Sequence, residues 1–167
     1  MIYKAIQGLP QAYARIKGSK EYPDIRGNVY LYEVYNGTVL LGELMGIPEE
    51  LEKKYGGFFG FHIHEGNACT GDSQDPFADT KGHYNLEKEE HPRHAGDLPP
   101  VLSNDGTAWM EIYTGRFYPM DVVGRTIVLH EMPDDFKTQP SGDSGMKIAC
   151  GEIKAWEQES KNKNGNE

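Results

Sequence analysis

Apolar and polar positions alternate in short runs along most of this chain, which is the two-residue period of strands with one buried face. Residues 12–17 form the first such run. Residues 28–35 alternate, Asn36-Gly37 follows, and residues 38–45 resume the pattern. Asn-Gly between two apolar runs is a strong hairpin signal, because both central residues of a type I′ turn need positive φ. The turn is therefore predicted at Asn36-Gly37. Asn36-Gly37-Thr38 also reads as a glycosylation acceptor, although a turn already accounts for these residues. Further strands are predicted at 58–65, 107–113, 125–131 and 147–156, with a short helix at 48–54.

Two stretches break the rhythm. Residues 66–106 contain almost no periodic pattern, and residues 132–146 are rich in Asp, Gly, Pro and Ser. Loops beyond ~15 residues are uncommon and usually functional. Residues 159–167 are polar and rich in Lys and Asn, a composition that predicts a disordered tail. No internal repeat or domain boundary is visible, so residues 1–158 read as one domain. The 20 glycines and 10 prolines point to many turns, and hence to an all-β architecture over a helical one.

Charge and termini narrow the function. A net charge of -9 argues against nucleic acid and against anionic membrane surfaces as partners. It would also repel an anionic substrate unless a local positive patch intervened. No apolar run approaches the ~20 residues of a membrane span. Met1-Ile2-Tyr3-Lys4-Ala5 lacks the apolar core of a signal peptide. The expectation is a cytoplasmic protein, or an exported one whose signal has been removed. Cys69 and Cys150 are too few and too far apart for a zinc ribbon.

The chemistry lies in the histidines. All six fall between residues 62 and 130, as His62-x-His64, then His83, His91, His94 with Asp97, then His130. On a strand, His62 and His64 share a face while Phe61 and Ile63 point into the core. A pair of surface histidines would look the same, but His130 on the alternating run Ile127-Val128-Leu129-His130 strengthens the metal reading. His83, His91, His94 and Asp97 form a closed donor set that suits zinc and would staple a loop lacking hydrophobic periodicity. The bland reading is a solvated acidic loop around residues 87–90. There are too many donors for a single tetrahedral ion, which suggests two metals. If His83 joins both sites, one has four histidines and the other three histidines with Asp97. Four nitrogens in a distorted planar array suit copper(II).

At this point the chain resembles the copper/zinc superoxide dismutases. The resemblance is carried by Gly60-Phe61-His62-Ile63-His64-Glu65, His83-Tyr84-Asn85 and His94-Ala95-Gly96-Asp97-Leu98-Pro99. It continues through Gly124-Arg125-Thr126-Ile127-Val128-Leu129-His130-Glu131 and Ala149-Cys150-Gly151, and spans roughly residues 10–156. It implies an eight-stranded Greek-key β-barrel or sandwich with two long functional loops. It implies copper on His62, His64, His83 and His130, and zinc on His83, His91, His94 and Asp97. It also implies that Asp134 links the two sites through a ligand of each. Cys69 and Cys150 match the family's disulfide, worth ~4 kcal/mol on a loop-closure argument. The implied activity is disproportionation of superoxide, with His83 carrying a proton and Lys147 supplying positive charge at the mouth. Local fields of this kind speed anion capture, and this family is a standard example. A homodimer is an assembly the resemblance allows.

Two features depart from the family. Lys147 stands where the family carries an arginine, keeping the charge but losing the planar fork of donors. His91 and His94 are only three apart, closer than the family usually sets the corresponding ligands, so a tight turn is needed to bring both to one ion. A rival reading is a dismutase-like metal-binding protein, a copper store or zinc-stapled domain with little catalysis. A cupin-type enzyme would want a glutamate four or five residues after His64, where this chain has Ala68 and Cys69. A nucleophilic hydrolase finds no support, because Ser103, Ser141 and Ser144 lack a nucleophile-elbow context.

Overall fold

A computed structural model describes residues 6–156; the predicted tail at 159–167 lies outside the described residues. Among the described residues nine strands appear in chain order: β1 (Ala12–Gly18), β2 (Arg26–Val34), β3 (Gly37–Met45), β4 (Phe58–Phe59), β5 (Phe61–His64), β6 (Val101–Asn104), β7 (Thr107–Thr114), β8 (Thr126–His130) and β9 (Lys147–Ala155). One α-helix among the described residues, α1 (Glu49–Tyr55), lies between β3 and β4. Its acidic first turn, basic last turn and left-handed Gly56 (φ 72°) suit the helix dipole and a glycine stop. No helix among the described residues is long and apolar enough to cross a membrane.

Every pairing is antiparallel, in the order β4-β6-β7-β3-β2-β1-β9-β8-β5. The two ends of that order are consecutive in the chain. β4 and β5 are halves of one extended run interrupted at Gly60, so the sheet curls until its edges belong to a single segment. Counted as one strand, they make the eight expected. This near-closure leaves little of the free edge that would otherwise invite aggregation. The β3-to-β4 and β7-to-β8 connections skip over neighbouring strands, which is Greek-key rather than up-and-down wiring.

Alternation builds the core. Ala14 and Ile16, Val29 and Leu31, Leu40 and Leu44, Phe61 and Ile63, Ile127 and Leu129, and Ala149 and Ile153 point into one cluster. A smaller cluster of Phe77, Val128, Cys150 and Cys69 lies on the outer side of β8 and β9. There the disulfide Cys69–Cys150 joins the first long loop to β9.

The structure corrects two details of the pattern reading. The two-residue β2–β3 turn is Tyr35-Asn36, with the positive φ (40°) on Tyr35; Gly37 already belongs to β3 and has no positive φ. Gly37 is required for another reason: a Cβ there would lie 2.1 Å from the Thr114 carbonyl oxygen. The two-residue turn with both φ values positive is Asp105-Gly106 (51° and 74°). It joins β7 to β6, a strand that lay hidden in the apparently patternless stretch 66–106. β6 alternates buried Val101 and Ser103 with exposed Leu102 and Asn104, but four residues are too few for a clear period. Glu52 of α1 pins this hairpin by accepting hydrogen bonds from the Gly106 N–H (2.9 Å) and the Ser103 hydroxyl.

Phe61 is fully buried at the barrel's closing seam. Phe61→Ala should cost roughly 3–5 kcal/mol, read as a lower urea midpoint with an unchanged slope. A loss below about 1 kcal/mol would show that the seam does not carry the core.

Candidate metal centre

The site grows from the outer face of the closing seam. Phe61 and Ile63 face the core, so His62 and His64 face the other way. β5 pairs with β8, placing His62 opposite Val128 and His64 opposite Thr126. The Gly60 carbonyl accepts from the His130 N–H (2.8 Å), and a bulge at Leu129/His130 turns the end of β8 toward the site.

The other edge of β5 takes the long loop. Ile63 N–H donates to the Gly96 carbonyl (2.9 Å), Tyr84 N–H to the Ile63 carbonyl (2.8 Å) and Glu65 N–H to the Gly82 carbonyl (2.9 Å). This pairing sets His83 against His64 and Asp97 against His62. A Cβ on Gly96 would lie 2.2 Å from the Ile63 carbonyl oxygen, so only glycine permits the approach. Main-chain pairing, rather than hydrophobic periodicity, holds this loop on the barrel.

Two groups of buried donors result: His62, His64, His83 and His130, and His83, His91, His94 and Asp97, each with its donor atoms within 4.8 Å of one another. His83 belongs to both. Its Nδ1 lies 2.6 Å from Asp97 Oδ1, while its Nε2 is buried with no hydrogen-bond partner. His62 Nδ1, His91 Nδ1 and His94 Nδ1 are orphaned in the same way. His64 Nε2 and His130 Nε2 approach each other at 3.2 Å. The His91–His94 spacing is accommodated by two turns, Arg93 N–H to the Glu90 carbonyl and Asp97 N–H to the His94 carbonyl. Both rings then bring Nδ1 to Asp97 Oδ2, at 3.1 and 3.3 Å.

Asp134 joins the groups from behind. Its Oδ2 lies 2.7 Å from His62 Nε2 and its Oδ1 2.9 Å from His91 Nε2. The Phe136 N–H also donates to Oδ1, at 2.7 Å. Two residues that sequence reasoning did not single out steady the loops. Gln139 clamps the His91 backbone, accepting from its N–H (3.0 Å) and donating to its carbonyl (2.7 Å). Arg116 Nη1 reaches the carbonyls of Pro92, His94 and Asp97 at 3.1, 2.9 and 3.3 Å. Neither had a local signal, because their partners are backbone atoms that only folding brings near.

Burial pushes His62 below the usual histidine range despite Asp134, and pushes His64 and His130 further below it, with the neighbouring imidazoles adding to the effect. Rings kept neutral present lone pairs, the form that binds metal. Burial tends to raise the two carboxyls, but hydrogen bonds win. His83 leads in lowering Asp97, and His62, the Phe136 N–H and His91 hold Asp134 at about 2. Buried polar nitrogens without partners are costly, and two four-donor groups aiming such nitrogens inward suit cations.

Lys147 lines the same cavity as His64, His83 and His130, a volume of about 430 Å³. Its ammonium does not stand free. It donates to Asp75 Oδ2 at 2.8 Å and to the Phe77 carbonyl at 3.2 Å.

A closed antiparallel barrel whose seam presents two donor groups sharing one imidazole defines a scaffold for a two-metal centre. The chain belongs to the copper/zinc superoxide dismutases: residues 25–153 match the family described as Copper/zinc superoxide dismutase (SODC). Similar proteins include Superoxide dismutase [Cu-Zn] 2 of Aquifex aeolicus, 30% identical, with 78% of this chain and 80% of that protein covered. Superoxide dismutase [Cu-Zn] of Caulobacter vibrioides is 35% identical, with coverage of 77% and 78%. The Cu/Zn superoxide dismutase from Brucella abortus shares the fold, with a TM-score of 0.71 and 23% identity over 84% of this chain and 98% of that one. A SOD-like protein from Bacillus subtilis superposes with a TM-score of 0.69 at 25% identity, covering 84% and 96%.

A carboxylate held near 2 stabilises the fold fully above about pH 5, and that contribution disappears as pH falls from about 4 to about 2. Metal-free protein should therefore lose on the order of 2 kcal/mol over that interval relative to Asp134→Asn, measured by urea unfolding at each pH. Parallel acid limbs for the two proteins would contradict the bridging role.

Proposed function

We propose that this protein disproportionates superoxide, two superoxide ions and two protons giving one dioxygen and one hydrogen peroxide. The observation that carries the reading is His83, shared between two buried four-donor groups in a member of this family. In it, copper would be held by His62, His64, His83 and His130, and zinc by His83, His91, His94 and Asp97. Bound copper supplies one-electron chemistry between two oxidation states, whereas zinc is redox-inert.

The chain's own residues do the rest. His62 and His64 sit on a rigid strand, so their half of the site is preorganised. Asp134 orients His62 and His91 through their far nitrogens, which fixes their tautomers. His83 holds its ring by Nδ1 on the Asp97 side, leaving Nε2 as the position where a proton can be taken up and released. Lys147 offers a positive charge on the wall of the cavity that His64, His83 and His130 reach. Arg116 and Gln139 keep the loop carrying His91, His94 and Asp97 in place. The Cys69–Cys150 disulfide suits an oxidising compartment rather than a reducing cytosol.

The pairing of Lys147 with Asp75 favours a second reading, a metal-binding relative with little catalysis, because the charge meant for the anion is partly spent inside the protein. Metal analysis with a superoxide assay separates the two. One copper and one zinc per chain with rapid turnover is the expected result. Zinc alone, with no turnover after copper is added, would favour the second reading. Lys147→Glu should slow turnover by about tenfold or more while leaving metal content unchanged. Unchanged turnover would remove Lys147 from the mechanism.

A further inference from the structure

The cavity is lined by charges of both signs. Its lining residues include Lys81 and Lys147 on the positive side and Glu65, Glu89 and Glu90 on the negative, with Glu89 paired to Arg93 at 2.8 Å. Asp75 adds another negative charge at 2.8 Å from the Lys147 ammonium, on a chain whose net charge is already -9.

The Asp75 carboxylate is not the only anchor of this loop. Its segment is tied to β9 by the disulfide Cys69–Cys150, and buried Phe77 packs against Val128 and Cys150. Nor is it the sole anchor of Lys147, whose ammonium also donates to the Phe77 carbonyl. Lys147 is the first residue of β9 and pairs in register with His130, so its position is set by the sheet. The Asp75 carboxylate is itself fixed, with Oδ1 accepting from the Phe77 N–H at 2.9 Å and Oδ2 from Lys147.

We propose that Asp75 restrains anion capture in this protein, its carboxylate cancelling the field of Lys147 at the wall of the metal-site cavity. The role rests on the superoxide reading above, but it concerns any small anion entering that cavity. An incoming anion meets an ion pair in place of a lone cation, and the field of a pair falls off faster with distance. Charge steering works through the field at the mouth, so removing one negative charge beside the path raises the encounter rate. One unit charge acting across about a Debye length of water changes the encounter rate by roughly twofold at low salt, and screening removes most of that near 0.5 M.

The test compares wild type with Asp75→Asn, which keeps an oxygen acceptor for Lys147, and with Asp75→Ser should the first variant fail to fold. Fold and disulfide are checked by circular dichroism and thiol counting. Two readouts are taken on copper-loaded protein: kcat/KM for superoxide against ionic strength, and the azide dissociation constant from optical titration. The expected result is roughly twofold faster superoxide capture and roughly twofold tighter azide binding at low salt, both converging on wild type at high salt. Lys147→Met alone should slow capture, and Asp75→Asn should give the same fold gain on that background, because fields add. Equal or slower capture in the Asp75 variants would overturn the proposal. So would a loss of the Asp75 effect once Lys147 is gone, which would make Asp75 a positioning residue for the lysine. If wild type binds copper without dismutating superoxide, the proposed function fails, and the azide titration still decides the role of Asp75.

Discussion

Taking six imidazoles and two carboxylates out of water is the act on which the rest of this molecule depends. Each ring nitrogen buried without a partner gives up hydration that an apolar surrounding cannot replace. The protein meets part of that cost with its own groups: Asp134 behind His62 and His91, Asp97 beside His83, and the Lys81 carbonyl on His64 Nδ1. The remaining nitrogens converge in two groups, which is the arrangement a cation completes. A site of this kind has to be held rigidly before its ions arrive, and the surrounding architecture can be understood as the means of holding it.

The barrel's closing seam does most of the holding. Because β4 and β5 form one run, the segment carrying His62 and His64 closes the sheet on one side and lines the site on the other. Its core face, through Phe61 and Ile63, ties donor geometry to packing. Its free edge would be exposed main chain, and the loop of residues 82–97 satisfies it with backbone hydrogen bonds. That loop in turn delivers four of the seven donors. The disulfide, Gln139 and Arg116 act on the parts that main-chain pairing does not reach.

The two loops also decide the charge seen by anything entering the cavity. Lys147 sits on β9, where the sheet fixes it, whereas Asp75 arrives from the disulfide-tied loop. Family membership therefore does not by itself fix the electrostatics of the cavity, because Lys147 and Asp75 pair at 2.8 Å without belonging to either donor group.

Much of this was legible in the chain. Alternation located β1, β2, β3, β7, β8 and β9 within one or two residues, and the clustering of histidines pointed to two metals, with the sharing of His83 implied by the family resemblance. Such features are local: a strand's period and a ligand's chemistry are written in neighbouring residues. The hidden strand β6 was not legible, because four residues carry too little periodicity, and its Asp105-Gly106 turn was overshadowed by Asn36-Gly37. The latter sequence places its glycine against the Thr114 carbonyl instead of in the turn. Only the tertiary structure could bring Arg116 to three carbonyls, Gln139 to the His91 backbone and Asp75 to Lys147. These contacts join residues 19 to 72 positions apart, and their acceptors and partners have no sequence signature. The sequence by itself determined which groups can bind a metal. Which way they face, and which charges stand beside them, was decided by closure of the barrel, since direction and proximity come into being only when distant backbone segments pair.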